Sequence, residues 1–242
     1  MEESDWSSDV CSSDLDEVMA NADVVVNGSR IAAIGARGSV AVPPTARIID
    51  VSGKTIVPGF IDVHAHLFPR TELLEPEGTS SFASLAYGIT TVRDPQVTAD
   101  VFDLAEIIEA DAVPAPRIYA TGPGVGFREY QSLDDVRRTV RPYRQDYDTH
   151  YLKSYLAGTR QQRQWIVQAS RELGIMPTTE GGADTKEDIT HALDGYSGNE
   201  HAFPVAPIHD DLIQFIAKSG IDYTPTLLVS FGGALPIFRL LA

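Results

Sequence analysis

The feature that most constrains the fold is an alternation of short apolar runs with longer amphipathic stretches, which begins at Pro58 and repeats to the end of the chain. Strands that alternate with helices in this way favour parallel βαβ units. The predicted strands are 60–66, 90–94, 117–121, 151–155, 175–180, 198–201 and 222–228, and the predicted helices are 80–87, 101–109, 133–144, 160–173, 186–193 and 209–219. The sequence therefore predicts an α/β fold with a parallel sheet.

Two architectures fit seven such strands: an open doubly wound sheet and an incomplete (β/α)8 TIM barrel. A complete barrel has eight strands in typically about 250 residues, and only about 185 residues follow Pro58. The final stretch GGALPIFRLLA ends within apolar sequence. We interpret residues 58–242 as an incomplete (β/α)8 barrel, truncated after about strand seven.

A smaller β module is expected ahead of the barrel, over residues 16–57. The segment DVVVNGSRIAAIG has two apolar runs around Asn27-Gly28, which is a strong hairpin signal. Two further short strands are predicted in ARIIDVSGKTIVPGF, on either side of Ser52-Gly53.

Residues 1–15 are interpreted as an assembly artefact. The ten residues from Trp6 to Leu15, WSSDVCSSDL, match a translation of the common sequencing adapter TGGAGTTCAGACGTGTGCTCTTCCGATCT without a gap. The segment lacks the basic and apolar regions of a signal peptide. Because the single cysteine, Cys11, falls within it, disulfide and thiol chemistry are not expected, and the compartment stays unknown.

Charge and hydropathy limit the partners. The formal net charge of −15 argues against nucleic acid and anionic membrane surfaces, since both require a basic face. No apolar run approaches the roughly 18–20 residues of a membrane span. We expect a small-molecule substrate and leave open a homo-oligomer for the full-length protein.

The stretch PGFIDVHAHL places His64 and His66 at the end of a predicted buried strand. Residues i and i+2 of a strand point to one side, so two imidazoles could converge on one metal ion, with Asp62 on the same face. In parallel α/β folds ligands bind at the carboxyl ends of strands. The alternative is a pair of core histidines that hydrogen-bond to the backbone.

Four further side chains follow the same logic. Lys153 lies within a short strand, where a lysine is rarely buried without a partner; a neutral amine there could add carbon dioxide and become an anionic metal ligand, or the amine could reach the barrel mouth. Glu180 and His201 close the fifth and sixth predicted strands, although either could be an ordinary loop residue. Asp94 closes the second strand, where a supporting role and a simple salt bridge are equally open.

The segments GSRIAAIG, IIDVSGKTIVPGFIDVHAHL, LAYGITTVRD, RIYATGPGV and PTTEGG together resemble the metal-dependent amidohydrolase superfamily, from about Asp23 to Leu228. Within it the sequence is most similar to imidazolonepropionase- and prolidase-like amidohydrolases, a group often fused to a TolB-like propeller. The resemblance implies that His64 and His66 are first-strand metal ligands, that Lys153 is a carboxylated bridging lysine with a catalytic role, and that His201 is the sixth-strand ligand.

This sequence departs from the family pattern twice. Glu180 stands where the family usually has a fifth-strand histidine, although a carboxylate also binds zinc. The aspartate that ends strand eight in the family matches no residue here. The resemblance implies a hydrolase of C–N bonds in non-peptide amides or dipeptide-like substrates, with one or two divalent ions, most simply Zn²⁺. The alternatives are an inactive fragment of such an enzyme and a non-enzymatic α/β binding protein.

Overall fold

The computed structural model divides into two compact units, residues 1–56 and residues 57–242. It describes residues 19–67, 79–95, 98–110, 112–155, 158–182 and 184–231. The adapter-like stretch from Trp6 to Leu15 lies outside these ranges.

The first unit contains the predicted hairpin. Strands β1 (Ala22–Asn27) and β2 (Arg30–Ala36) pair in an antiparallel ladder. Gly28 occupies the turn with φ +59°, a conformation that glycine adopts without steric cost. The hairpin prediction is confirmed.

The two further strands expected around Ser52-Gly53 do not form, since residues 37–59 carry no strand. Oδ1 of Asp50 accepts hydrogen bonds from the backbone N–H of Ser52 at 2.9 Å and from its hydroxyl at 2.6 Å. Such side-chain bonds to the backbone favour a turn over a strand ladder. The apolar residues of this segment, such as Ile48 and Ile49, are exposed.

The described part of the second unit contains the predicted series of seven strands. They are β3 (Phe60–Asp62), β4 (Ile89–Asp94), β5 (Arg117–Ala120), β6 (Tyr151–Ser154), β7 (Met176–Glu180), β8 (Gly198–Glu200) and β9 (Asp222–Thr224). All the pairings among them are parallel. The α/β class predicted from the alternating pattern is confirmed.

The strands form two sheets, in the orders β3-β4-β5 and β6-β7-β8-β9. The two sheets are joined by hydrogen bonds between β6 and the segment that follows β5. The N–H of Val125 donates to the carbonyl of Lys153 at 3.0 Å, and the N–H of Tyr155 donates to the carbonyl of Val125 at 2.7 Å. Thr149 adds a hydroxyl bond to the carbonyl of Ala120 at 2.7 Å. The break is therefore a displaced pairing rather than a separation of the sheets.

Six of the seven described helices lie between the strands at nearly the predicted positions, and the seventh, which was not predicted, follows β9. They are α1 (Thr79–Ala86), α2 (Asp100–Glu109), α3 (Leu133–Gln145), α4 (Arg160–Glu172), α5 (Thr185–Asp194), α6 (Asp210–Ser219) and α7 (Leu227–Phe231). Among the described residues no helix combines the length and apolar character needed to cross a membrane.

Helix α4 shows how sequence dictates these boundaries. Thr159 accepts a hydrogen bond from the N–H of Gln162, whose side chain accepts one from the N–H of Thr159, a capping box that starts the helix. Gly174, with φ +67°, follows its last turn. The helix is amphipathic, as the alternating pattern predicts, since Ile166 and Ala169 are buried in the larger core cluster.

The last predicted strand, 222–228, is too long. Strand β9 ends at Thr224, and Leu227 already begins helix α7. Pro225 explains the end of the strand, because proline has no N–H to donate to a ladder.

Candidate metal centre

The five residues singled out in the sequence follow or end parallel strands at their carboxyl ends. His64 and His66 come just after β3, Lys153 lies within β6, Glu180 ends β7, and His201 follows β8. Since parallel strands present these ends at the same edge, the topology brings the side chains together.

The conformation of the first pair differs from the prediction. We expected His64 and His66 on one strand face with Asp62, but β3 ends at Asp62; His64 lies in the following turn and His66 in the irregular segment after it. Oδ1 of Asp62 accepts a hydrogen bond from the N–H of His64 at 3.0 Å, which draws the chain out of the extended conformation. The two rings still lie close, with centroids 5.2 Å apart and planes at 88°.

Glu180 joins two of the predicted residues. Its Oε2 lies 2.8 Å from Nζ of Lys153, and its Oε1 lies 2.8 Å from Nε2 of His201. The Lys153 side chain is only 1% exposed, so the carboxylate supplies the partner that a buried lysine needs. His201 also bonds through Nδ1 to Oγ1 of Thr226 at 2.6 Å.

The histidine pair that follows β3 meets the Lys153–Glu180–His201 chain at His64. The ring centroid of His64 lies 4.9 Å from that of His201. All five side chains predicted from the sequence therefore form one continuous cluster. The backbone of His201 has φ +73°, an uncommon conformation for a residue with a side chain, and its N–H donates to the carbonyl of Thr224.

Sequence reasoning missed Glu200, the last residue of β8. Its Oε2 lies 2.8 Å from Nδ1 of His64, and its Oε1 accepts a hydrogen bond from Nη1 of Arg93 at 2.7 Å. The available signal was an acid at the end of a buried strand, in the sequence GNEH. Arg93 stands next to the Asp94 that the sequence did single out.

Asp94 supports the second histidine. It is fully buried, and its Oδ1 lies 3.3 Å from Nδ1 of His66 while its Oδ2 accepts the N–H of Leu67 at 3.0 Å. The supporting contact that the sequence left open beside a simple salt bridge is therefore present.

At His64 the electrostatics favour a neutral ring beside an ionised Glu200. Burial lowers the pKa of His64, although the hydrogen bond to Glu200 opposes that shift. Burial by itself would raise the pKa of Glu200, but the hydrogen bond with His64 and the charges of Arg93 and Lys153 outweigh it, so that the pKa falls to about 2.

The same balance applies to Glu180. Burial would raise its pKa, but the hydrogen bond from His201 and the charge of Lys153 lower it to about 2. The carboxylate is therefore ionised over the whole physiological range, as a metal ligand must be.

The donor set of the cluster suits a divalent ion of the zinc type, since imidazole nitrogens and carboxylate oxygens are among its usual ligands. Within the described ranges, no group of three or more His, Cys, Asp or Glu side chains is arranged as it would be around one ion. The donors instead pair with one another, as in the Lys153–Glu180 and Glu180–His201 contacts. Metal binding would exchange these pairs for bonds to the ion.

Solved structures resemble this fold. A Xaa-Pro dipeptidase crystallised with methionine in its active site has a TM-score of 0.70 at 16% identity, over 89% of this chain and 64% of that one. A putative prolidase from Bifidobacterium longum has a TM-score of 0.63 at 22% identity, over 80% of this chain and 51% of that one. These likenesses confirm the α/β barrel fold.

Sequence comparison also finds similar proteins. Adenine deaminase 2 from Shouchella clausii is 34% identical over 131 residues, which are 47% of this chain and 22% of the deaminase. The chain thus spans about a fifth of the length of that relative. A model of the amidohydrolase family matches residues 55–235, about three quarters of the sequence, and contains all five predicted site residues. The chain belongs to the amidohydrolase family.

Proposed function

We propose that this chain carries the metal centre of a hydrolase that cleaves a C–N bond in a small, non-peptide amide or dipeptide-like substrate. The single observation behind the proposal is the convergence of His64, His66, Lys153, Glu180 and His201 at the carboxyl ends of four strands. An open doubly wound binding protein would leave these residues far apart, so the geometry favours the hydrolase.

His64, His66, Glu180 and His201 would hold one or two divalent ions, with zinc as the first candidate. Such an ion supplies an activated water and polarises the scissile carbonyl. The chain itself orients the ligands: Asp94 restrains His66, and Thr226 restrains His201. In the metal-free chain Glu180 accepts from both Lys153 and His201, and it stays ionised.

Lys153, in the form of a carbamate, would be a further ligand. The neutral amine adds to carbon dioxide, so that a new N–C bond forms and one proton is released. This step requires Lys153 to give up its ion pair with Glu180. Uptake of isotopically labelled bicarbonate, followed by carbon NMR in the wild type and in Lys153→Met, tests it: a carbamate signal confined to the wild type is expected, and its absence contradicts the modification.

Zinc titration by calorimetry tests the centre itself. The wild-type chain should bind one or two equivalents, and His64→Asn and His66→Asn should each bind more weakly or with lower stoichiometry. His150→Asn is the matched control, because His150 is exposed and its Nδ1 bonds to the carbonyl of Gly174, at the amino-terminal end of β6. Equal zinc binding by all four proteins would refute the site.

Hydrolysis needs its own assay. The zinc-loaded chain should release free amine from one or more members of a panel of Xaa-Pro dipeptides, other dipeptides and non-peptide amides, and His64→Asn should abolish the release. Zinc binding without turnover on any substrate would favour the alternative of a catalytically inactive centre.

A further inference from the structure

We infer that Glu200, held in place by Arg93, is a positioning residue that fixes the tautomer and orientation of His64. The inference rests on the proposed function, because it concerns which ring nitrogen His64 offers to a metal ion. Glu200 is 1% exposed at the end of β8, and Arg93 lies in β4.

Each oxygen of the Glu200 carboxylate has one partner. Oε1 accepts from Nη1 of Arg93 at 2.7 Å, and Oε2 lies 2.8 Å from Nδ1 of His64. A carboxylate paired with a guanidinium is ionised and can only accept, so Nδ1 of His64 carries the hydrogen. The lone pair of the ring then resides on Nε2, which is the atom left to bind a metal.

Arg93 fixes the carboxylate through a fork of contacts. Besides Glu200, its Nη1 donates to the carbonyl of Val63 at 3.2 Å, and its Nη2 donates to Oγ1 of Thr178 at 2.7 Å. Val63 immediately precedes His64, so one guanidinium restrains both the backbone and, through Glu200, the ring of that histidine.

These contacts also cross the interior of the second unit. Arg93 belongs to the β3-β4-β5 sheet, whereas Thr178 and Glu200 belong to β7 and β8 of the other sheet. A lysine could supply the charge, but it could not reach three acceptors with a planar fork. The arginine therefore sets the distance between the histidines that follow β3 and the proposed ligands on β6 to β8.

Partners of this kind, which hold the second nitrogen of a metal-binding histidine, typically change metal affinity 10- to 100-fold when they are removed. Glu200 is assigned this role rather than that of a ligand because both of its oxygens are occupied within the protein. The two roles predict different zinc stoichiometries, which makes them separable.

The test uses Glu200→Gln. The glutamine oxygen would face Arg93, which can only donate, and its NH₂ group would face Nδ1 of His64. His64 would then lose its acceptor at Nδ1 and shift to the tautomer with the hydrogen on Nε2. Nitrogen NMR of the metal-free chain should show this change, with His64→Asn identifying the resonance.

Zinc calorimetry completes the test. Glu200→Gln should weaken affinity 10- to 100-fold with stoichiometry unchanged, and Arg93→Lys should weaken it while His64 keeps its Nδ1 hydrogen. The matched control is Glu172→Gln, since Glu172 lies on α4 and pairs with Arg137 away from the cluster. An unchanged tautomer and affinity, or a lost equivalent of zinc, would overturn the inference.

The two proposals fail in different ways. If the wild-type chain binds no zinc, the proposed function falls, but the NMR comparison in the metal-free protein still decides whether Glu200 sets the tautomer. If zinc binds and the tautomer does not respond to Glu200→Gln, only the positioning role is wrong. Arg93→Lys keeps the question answerable should Glu200→Gln fail to fold.

Discussion

Nζ of Lys153 lies 2.8 Å from Oε2 of Glu180, in a pair whose lysine side chain is 1% exposed and whose glutamate side chain is 26% exposed. The carboxylate compensates a charge that would otherwise be costly to bury. The same carboxylate reaches His201, so the pair links β6 and β7 to the residue that follows β8.

Removing only the carboxylate should therefore destabilise the metal-free protein. We expect Glu180→Gln to lower the free energy of unfolding by about 3 kcal/mol, because Lys153 is left as an uncompensated buried charge. Urea denaturation in the presence of a chelator measures the change.

The double variant Lys153→Met/Glu180→Gln provides the comparison. With the buried charge also gone, it should be more stable than Glu180→Gln alone, since an apolar side chain of similar length fills the site. Suppose instead that the double variant is less stable than Glu180→Gln by as much as Lys153→Met alone destabilises the wild type. The two substitutions are then additive, and the ion pair does not govern the stability of this region.

A second buried ion pair holds α4 against α5. Asp194 is fully buried; its Oδ2 accepts from Nε of Arg163 at 2.8 Å, and its Oδ1 lies 2.7 Å from Nη2 of Arg160. Asp194→Asn leaves Arg163 without its buried counter-charge, so unfolding free energy should fall by about 3–5 kcal/mol.

The exposed pair Arg144–Asp148 serves as the control for that measurement, because the Asp148 side chain is 88% exposed. Asp148→Asn should change the free energy of unfolding by less than about 1 kcal/mol. Asparagine also tolerates the φ of +46° at this position. Similar losses for the two variants would show that burial is not what gives Asp194 its effect.

The order of the elements could be predicted from the sequence because helices and strands differ in hydrophobic period and in their end signals. Helix α4 is the clearest example: Thr159 begins it and Gly174 follows it. The strand at residues 222–228 was overextended because its apolar pattern continues past Pro225 into α7. A short apolar run does not distinguish a strand from a helix.

The cluster of five side chains was predictable in its members but not in its supporting contacts. His64 and His66 stand out by type and position, whereas their common strand face is lost to the hydrogen bond from the His64 N–H to Asp62. Arg93 and Glu200 are 107 positions apart. Nothing local in the sequence links them, because their contact depends on how the two sheets face one another.

The capping box of α4 gives a prediction for helix stability. Thr159→Ala removes the oxygen that accepts the N–H of Gln162 at 3.3 Å, so the free energy of unfolding should fall by about 1 kcal/mol. Thr159→Ser keeps a hydroxyl and should lose less than half as much. Thermal and urea unfolding of both variants measures the two losses. Equal losses of unfolding free energy for Thr159→Ser and Thr159→Ala would contradict the prediction.

The last prediction concerns Asp188, a buried acid on α5. Burial raises its pKa to about 7, and the charges of Glu187 and Asp184 act in the same direction. The N–H of Gly182, which donates to Asp188 at 3.1 Å, and the nearby His201 oppose the shift. His191, whose Nδ1 lies 3.9 Å away, faces the same carboxylate from the next turn.

A carboxyl group with a raised pKa retains its proton in the folded chain after the unfolded chain has lost it. Between about pH 4 and pH 7 the folded state binds the extra proton, so the free energy of unfolding falls as pH rises. Asp188→Asn cannot lose a proton, and its side-chain oxygen can still accept from Gly182. Relative to the wild type, this variant should therefore gain stability across that window, by up to about 4 kcal/mol, and the difference should level off above pH 7. Urea denaturation of both proteins at half-unit pH intervals measures the difference, and a difference that is independent of pH would show that Asp188 titrates normally.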